Sequence, residues 1–440
     1  MKRNAVFSIA ALYQIYLQNP SVCTDTRRVR PGDLFFALKG DNFNGNTFAM
    51  QALSSRAAYA IVDEKIADAG IYADRLIEVE NVLQTLQTLA GHHRDQFSIP
   101  IIAITGSNGK TTTKELMHAV LSEKHKTYTT EGNLNNHIGI PLTLLKIKND
   151  AAFAIVEMGA NHLREIAGYC VYTRPTHGLI TNCGKAHLEG FGSIEGVRKG
   201  KGELYDYLRT NGGSAFVMWD YDYLRQMSTG IQEIISYGTA HADVTGVEES
   251  ATPHLLVRMT SGVNLDTIQT QLTGNYNLPN VLAAITVGNY FKVNPESIKK
   301  GIEKYFPSNS RSQLIQAGTN SIILDAYNAN PSSMKGAVEN FIVYPSAEKI
   351  LLLGGMAELG INSIEEHEQL IELISSYPWK DVLLVGGDFL KIKHPFRSYA
   401  SAEEAGKWLA SRHFENTAFL VKGSRSMQME KTIESLQSKV

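Results

Sequence analysis

One segment of the chain has the residue types and spacing needed to bind phosphate: TGSNGKTTT at 105–113. It follows the apolar run Ile101, Ile102, Ala103, Ile104 and opens a helical pattern with Leu116, Met117, Val120 and Leu121 on one face. A buried strand, a glycine loop, a Lys-Thr pair and a helix together aim backbone N–H groups and a helix N-terminus at an anion. Gly106 and Gly109 let the backbone approach closely, and Ser107, Asn108 and Thr112 complete the loop. Lys110 supplies a charge for the terminal phosphates, and the Thr111 hydroxyl is a magnesium ligand by type. Ile104 stands where the strict GxxxxGK[ST] pattern has its first glycine, so the loop is a shortened variant.

Phosphate binding alone does not separate an ATPase, a kinase, a GTPase and a ligase. Glu157 lies near the end of the run FAIVEM at 153–158, where an acid of this fold class holds magnesium; a strand-end carboxylate can equally cap the next helix. His187 lies in TNCGKAHLEGFG at 181–192, just past the strand-like GLIT, and its residue type leaves a ligand role and a structural one both open.

These side chains need a scaffold, and the composition bounds it. With 440 residues, 43% of them hydrophobic, the chain is too long for one core and too apolar for disorder, so two to four domains are expected. Lys and Arg number 42 against 44 Asp and Glu, which argues against a bulk electrostatic affinity for nucleic acid or anionic membrane. The cysteines Cys23, Cys170 and Cys183 are too scattered for a disulfide framework, and a cytoplasmic location is expected. Met1-Lys2-Arg3 before an apolar stretch imitates a signal peptide, but Val6, Ile9, Ala10, Tyr13 and Leu17 recur at helical spacing, as in an amphipathic first helix. No run of about 18 apolar residues exists, so no membrane span is expected.

The fold class expected is α/β in three domains. Residues 1–97 read as a small mixed domain with strands at LFFAL (34–38) and 59–62 and a helix at 82–92. Residues 98–308 alternate strands and helices in a mostly parallel sheet around the phosphate loop, with a change near 231–272 to short pieces that suit a meander at the sheet edge. Residues 309–440 repeat the alternation with strands SIILDA, KILLLGG, DVLLVGG and AFLVKG, each followed by a helical stretch, as in a Rossmann-like doubly wound domain. Ligands gather at the carboxyl ends of such strands, where Asp325, Gly354-Gly355, Gly386-Gly387 and Lys422-Gly423 fall.

Beyond the loop, EGNLNNHIGIPLTLL (131–145), VEMGANHLREI (156–166), TNCGKAHLEGFGSIEGV (181–197), KGELY (201–205), GNYNLPN (274–280), DAYNANPSSM (325–334), GGMAELG (354–360) and VKGSRSM (421–427) follow one another in a fixed order. With TDTRRVRPGDLFFALKG at 24–40, this order resembles that of the Mur ligases over essentially the whole chain. The resemblance implies a soluble, monomeric, ATP-dependent ligase of cytoplasmic peptidoglycan precursor synthesis, and YNANPSSM with MAELG points to the member that adds D-alanyl-D-alanine to UDP-N-acetylmuramoyl-tripeptide. ATP would phosphorylate the peptide's terminal carboxylate, and the incoming amine would attack the acyl phosphate. Holding these reactants together can supply about 7–11 kcal/mol of the barrier.

By that resemblance, Lys110 and the loop bind ATP, with Thr111 and Glu157 on one magnesium ion. His187 helps hold a second, together with Lys201 if that lysine carries a carbamate. Carbamylation needs a neutral amine, and at pH 7 only about one free lysine in a few thousand is neutral; burial or a nearby cation such as Lys199 would have to lower the pKa. Asn277 and Asn280 match adenine-side positions, and Arg311 and Asp325 positions that reach ATP from the third domain. Asp25, Thr26, Arg27 and Asn44 fall at the uridine end, Asn135 and Asn136 along the central cleft, and Asn328, Asn330, Lys422, Ser424 and Arg425 at the dipeptide end. Two residues depart from the pattern: Gly355 stands where an aspartate is usual, and Ala326 where a small hydroxyl residue is common. Two other readings compete with this one: a ligase adding the third amino acid, which would carry a DNPR-type motif not found here, and a catalytically silent phosphate-loop binding protein.

Overall fold

The computed structural model describes residues 8–437, so Met1-Lys2-Arg3 and Val6 of the signal-like stretch lie outside the described residues. The helix Ile9–Gln18 is capped by Ser8, whose side chain accepts the Ala11 N–H. Its buried stripe is Leu12, Tyr13 and Tyr16, rotated from the expected one, while Leu17 is half exposed. The two tyrosines turn the helix, because each brings a hydroxyl that needs a buried partner. Tyr13 meets His93 Nδ1 at 3.0 Å and Tyr16 donates to the Leu145 carbonyl.

The chain forms two compact units, residues 8–104 with 125–160 and 164–178, and residues 105–124 with 161–163 and 179–437. In the first, Val22–Cys23, Leu34–Phe36, Tyr59–Val62 and Leu76–Glu78 make a parallel sheet in that order over a core that includes Phe35, Ala52, Leu53 and Ala60. The same unit holds parallel pairings of Phe153–Glu157 with Ile101–Thr105 and with Thr127–Thr129. Ile101 to Ile104 are fully buried, as a strand covered on both faces must be.

In the second unit, Ser214–Met218, Glu233–Gly238 and Val244–Ser250 run parallel, and Leu256–Ser261 and Thr267–Gln269 then add antiparallel pairs, so the edge meander is as expected. The helix Leu278–Tyr290 is buried on nearly every side and packs on Lys110–Ser122, with Gly288 so close to Val120 that a Cβ would come within 2.5 Å. A six-stranded sheet follows in the order Gln313–Ala317, Asn320–Asp325, Thr417–Lys422, Glu348–Gly354, Asp381–Val385, Arg397–Tyr399. All its neighbours are parallel except the first pair. Two features here have no clear signal in the sequence. Gln313–Ala317 is a half-polar edge strand, and Asp381–Val385 leads into a 3-10 turn and a short strand before the helix Ala402–Ala410. No described helix is long and apolar enough to cross a membrane.

Candidate active site

The phosphate loop leaves strand Ile101–Thr105 and enters helix Lys110–Ser122 through two glycines that no other residue could replace without strain. Gly106 has φ +143° and lies against the Thr181 hydroxyl; Gly109 has φ +80° and would place a Cβ 2.6 Å from Asn280 Oδ1. The loop is fastened from the next turn of the unit. The Ser107 N–H donates to the Asn182 carbonyl at 2.9 Å, the Asn108 N–H to Asn182 Oδ1 at 3.0 Å, and the Thr181 hydroxyl to the Asn108 carbonyl at 2.6 Å. Lys110 Nζ folds back on the loop, donating to the carbonyls of Gly106 at 2.6 Å and Ser107 at 3.2 Å. Thr111 is buried and Thr112 half-buried in the first helical turn.

Asn277 and Asn280 do share one face, as their spacing predicts. Asn280 donates to Asn277 Oδ1 at 3.0 Å and accepts the Thr113 hydroxyl at 3.0 Å, which ties the loop helix to Leu278–Tyr290. The segment after residue 309 also reaches the loop. Asn330 Nδ2 donates to Asn108 Oδ1 at 2.8 Å, and Asn330 itself caps the helix Pro331–Ile342 in a capping box with Ser333. The Lys185 N–H donates to the Ser332 hydroxyl at 3.1 Å, and Lys185 Nζ pairs with Glu366 at 2.6 Å.

His187 pairs through Nδ1 with Glu358 at 2.5 Å, and both residues hold left-handed backbone, φ 52° and 63°. The His187 contact holds the Glu358 carboxyl below its usual range against partial burial. Glu358, Glu366, Ser332, Thr181 and Asn182 are not singled out by sequence, although Glu358 sits inside GGMAELG and Thr181-Asn182 open TNCGKAH. Lys201 is 1% exposed on helix Ile194–Asn211, with Nζ 5.1 Å from the Phe191 ring centroid.

At the carboxyl ends of the six-stranded sheet, register places Asp325 beside Lys422, and the two form an ion pair at 2.5 Å with Lys422 2% exposed. Lys422 also reaches the Asn328 carbonyl at 3.3 Å. Asp325 accepts the Ser312 N–H at 3.2 Å, and the Arg311 guanidinium lies 3.5 Å from the Tyr327 ring centroid. Buried Ser424 accepts the Ala357 N–H at 2.8 Å, whereas Arg425 is exposed and pairs with Glu430. Asn328 is exposed.

The remaining candidates belong to the first unit. Glu157 is buried at its strand end, accepts Asn135 Nδ2 at 2.8 Å, and its N–H donates to the Thr130 hydroxyl at 3.0 Å. Asn136 accepts the N–H groups of Ile138 and Gly139, so its side chain shapes the entry to helix Gly139–Leu144. Asp25 grips Arg27 with both oxygens, which holds its carboxyl at about 2, at the surface turn Thr26–Arg28. Asn44 donates to Glu64 and accepts the Asn46 N–H at 3.0 Å.

Among the described residues no three His, Cys, Asp or Glu side chains gather into a metal-holding group. Magnesium in a nucleotide site takes one or two protein oxygens and completes its shell with phosphate and water. The Thr111 hydroxyl and the Glu157 carboxylate are oxygen donors of that kind.

The model for the Mur ligase middle domain matches residues 104–288, and that for the Mur ligase glutamate ligase domain residues 310–434. The chain is similar to the UDP-N-acetylmuramoyl-tripeptide–D-alanyl-D-alanine ligase of Escherichia coli (strain K12), 35% identical over 437 residues, 95% of this chain and 93% of the relative. It is similar in structure to MurF from Acinetobacter baumannii, with a TM-score of 0.86, 30% identity and coverage of 95% and 93%. MurF ligase from Thermotoga maritima in complex with ADP matches with a TM-score of 0.86, 26% identity and coverage of 96% and 98%. With the phosphate loop, its asparagine fastenings and the six-stranded sheet in place over this full length, the chain belongs to the Mur ligase family.

Proposed function

We infer that this chain is an ATP-dependent ligase that joins D-alanyl-D-alanine to UDP-N-acetylmuramoyl-tripeptide in the cytoplasm, as a monomer. The observation that carries this reading is likeness along the whole chain to ligases of that name, and the ADP held by one structural relative supports ATP as the phosphoryl donor. A carboxylate is a poor electrophile, and its acyl phosphate is a good one. The chain has to hold two anions and an amine together and to keep water from the activated acyl group.

Three segments share this work, with 1–97 taking the uridine end, 98–308 the ATP, and 309–440 the dipeptide. Lys110 leaves its loop carbonyls to meet the terminal phosphates, where a positioned cation stabilises charge in transfer. Thr111 and Glu157 hold magnesium, which offsets repulsion between phosphate and carboxylate when bound. His187 and Lys201, the latter as a carbamate, hold a second ion. Asn277 and Asn280 receive the adenine side, and Arg311 and Asp325 close on ATP from the third segment. Asp25, Thr26, Arg27 and Asn44 receive the uridine nucleotide, Asn135 and Asn136 line the cleft, and Asn328, Asn330, Lys422, Ser424 and Arg425 receive the dipeptide.

The test is phosphate release with purified protein, ATP and magnesium. It should require both UDP-N-acetylmuramoyl-tripeptide and D-alanyl-D-alanine. Turnover with the dipeptide precursor and a free diamino acid instead would overturn the assignment. Lys201→Ala should lose activity and regain part of it with short carboxylic acids; wild-type turnover without rescue would remove the carbamate.

A further inference from the structure

Arg198 precedes Lys201 by three residues on helix Ile194–Asn211, so both side chains leave one face of the helix. Each meets an aromatic ring, Lys201 that of Phe191 and Arg198 that of Tyr223. Gly200 is packed so tightly on the Phe191 ring that a Cβ there would come within 2.4 Å of it. The Arg198 guanidinium carbon lies 4.9 Å from the Tyr223 ring centroid, and the Tyr223 hydroxyl accepts the Cys183 N–H at 3.1 Å. Burial pushes the Cys183 thiol up to about 12, against the pull of the Lys201 and Arg198 charges.

One atom on this helix face is out of balance. Arg198 Nε is buried without a hydrogen-bond partner. A charged donor in that position is costly unless an acceptor, preferably an anion, lies against it. The lysine ammonium three residues along the same helix face is a donor and cannot serve as that acceptor, whereas a carboxyl on the same lysine can.

We propose that Arg198 is a positioning residue that holds the carbamate of Lys201 by donating its Nε–H to one carbamate oxygen. The inference rests on the carbamate reading above and adds to it the group that stabilises the adduct. The neutral Lys201 amine attacks the carbon of carbon dioxide, one N–C bond forms and one C–O π bond opens. Two protons leave to solvent in all, one to free the amine from its ammonium form and one from the nitrogen after the N–C bond forms, so the side chain changes from a cation to an anion. Arg198 then faces an opposite charge where it faced a like one.

The measurement is carbon-13 NMR of the full-length protein equilibrated with labelled bicarbonate, for wild type, Arg198→Gln and Arg198→Lys, with thermal melting alongside. Wild type should show a lysine carbamate resonance. Arg198→Gln should need on the order of tenfold more bicarbonate or above for half occupancy, as expected for loss of a charge-assisted hydrogen bond. Its activity should become bicarbonate-dependent in the same range. Arg198→Lys keeps the charge but lacks the planar N–H, so it should fall between the two and carries the test if the glutamine variant does not fold. A guanidinium that only packs on Tyr223 would change melting and leave the bicarbonate midpoint alone. A carbamate of equal occupancy in wild type and a folded variant would overturn the role of Arg198 and keep the carbamate. An active wild-type enzyme with no carbamate signal would overturn both.

Discussion

Asp325 and Lys422 form the pair whose disruption can be sized most directly. Lys422 is 2% exposed, and its Nζ lies 2.5 Å from Asp325 Oδ2 at the end of two adjacent parallel strands. At an effective dielectric constant near 20, that separation corresponds to an attraction of about 6–7 kcal/mol, most of it offset by taking both charges out of water. Removing only one partner leaves the other's desolvation unanswered, and Asp325→Ala is therefore expected to cost about 3–5 kcal/mol. The Asn328 carbonyl at 3.3 Å is a neutral acceptor and recovers little of this. For a unit of this size the melting midpoint should fall by roughly 6 °C or more, read by calorimetry. Asp325→Ala with Lys422→Met removes both charges and should regain most of the loss, since a buried pair is worth little against an apolar replacement. A cost under about 1 kcal/mol for the single variant, or a double variant no better than the single, would refute this account of the pair.

Gly109→Ala must place a Cβ at φ +80° within 2.6 Å of Asn280 Oδ1, so it should destabilise the protein by about 1–3 kcal/mol and weaken ADP binding in calorimetric titration. Lys110→Ala removes an ammonium now satisfied by its own loop and should lower kcat by roughly 10²–10³ with little change in melting; a normal kcat would exclude its phosphate role. His367 is fully buried, accepts the Met356 N–H at Nε2 and so must donate from Nδ1 to the Ser363 carbonyl at 2.6 Å. Burial lowers its pKa from 6.5, which means that between the folded value and 6.5 the unfolded chain binds more protons. The stabilisation is complete above pH 6.5 and is lost as pH falls through that window. Denaturant titrations from pH 7.5 to 5 should show this slope in wild type and a shallower one in His367→Gln.

Much of the scaffold is legible in the sequence because local patterns are strong. The strand Tyr59–Val62 matches the apolar run that announces it, residue for residue. The strand Gln313–Ala317 is not legible, since its half-polar pattern QLIQA becomes a strand only by pairing with Asn320–Asp325. Glu358 and Glu366 are equally hidden. Their partners His187 and Lys185 lie more than 170 residues away, and no local spacing encodes such a meeting.

The order of residues alone therefore determined the phosphate loop, the alternation of strands and helices and the family, because each depends on neighbours within a few turns of chain. Tertiary structure decided which groups face one another. The Asn108 and Asn330 amides meet, Lys422 pairs with Asp325, and Arg198 carries a buried Nε without a partner. The physical reason is that a hydrogen bond or ion pair is set by distances of about 3 Å in space, and packing brings together what the chain holds far apart in sequence.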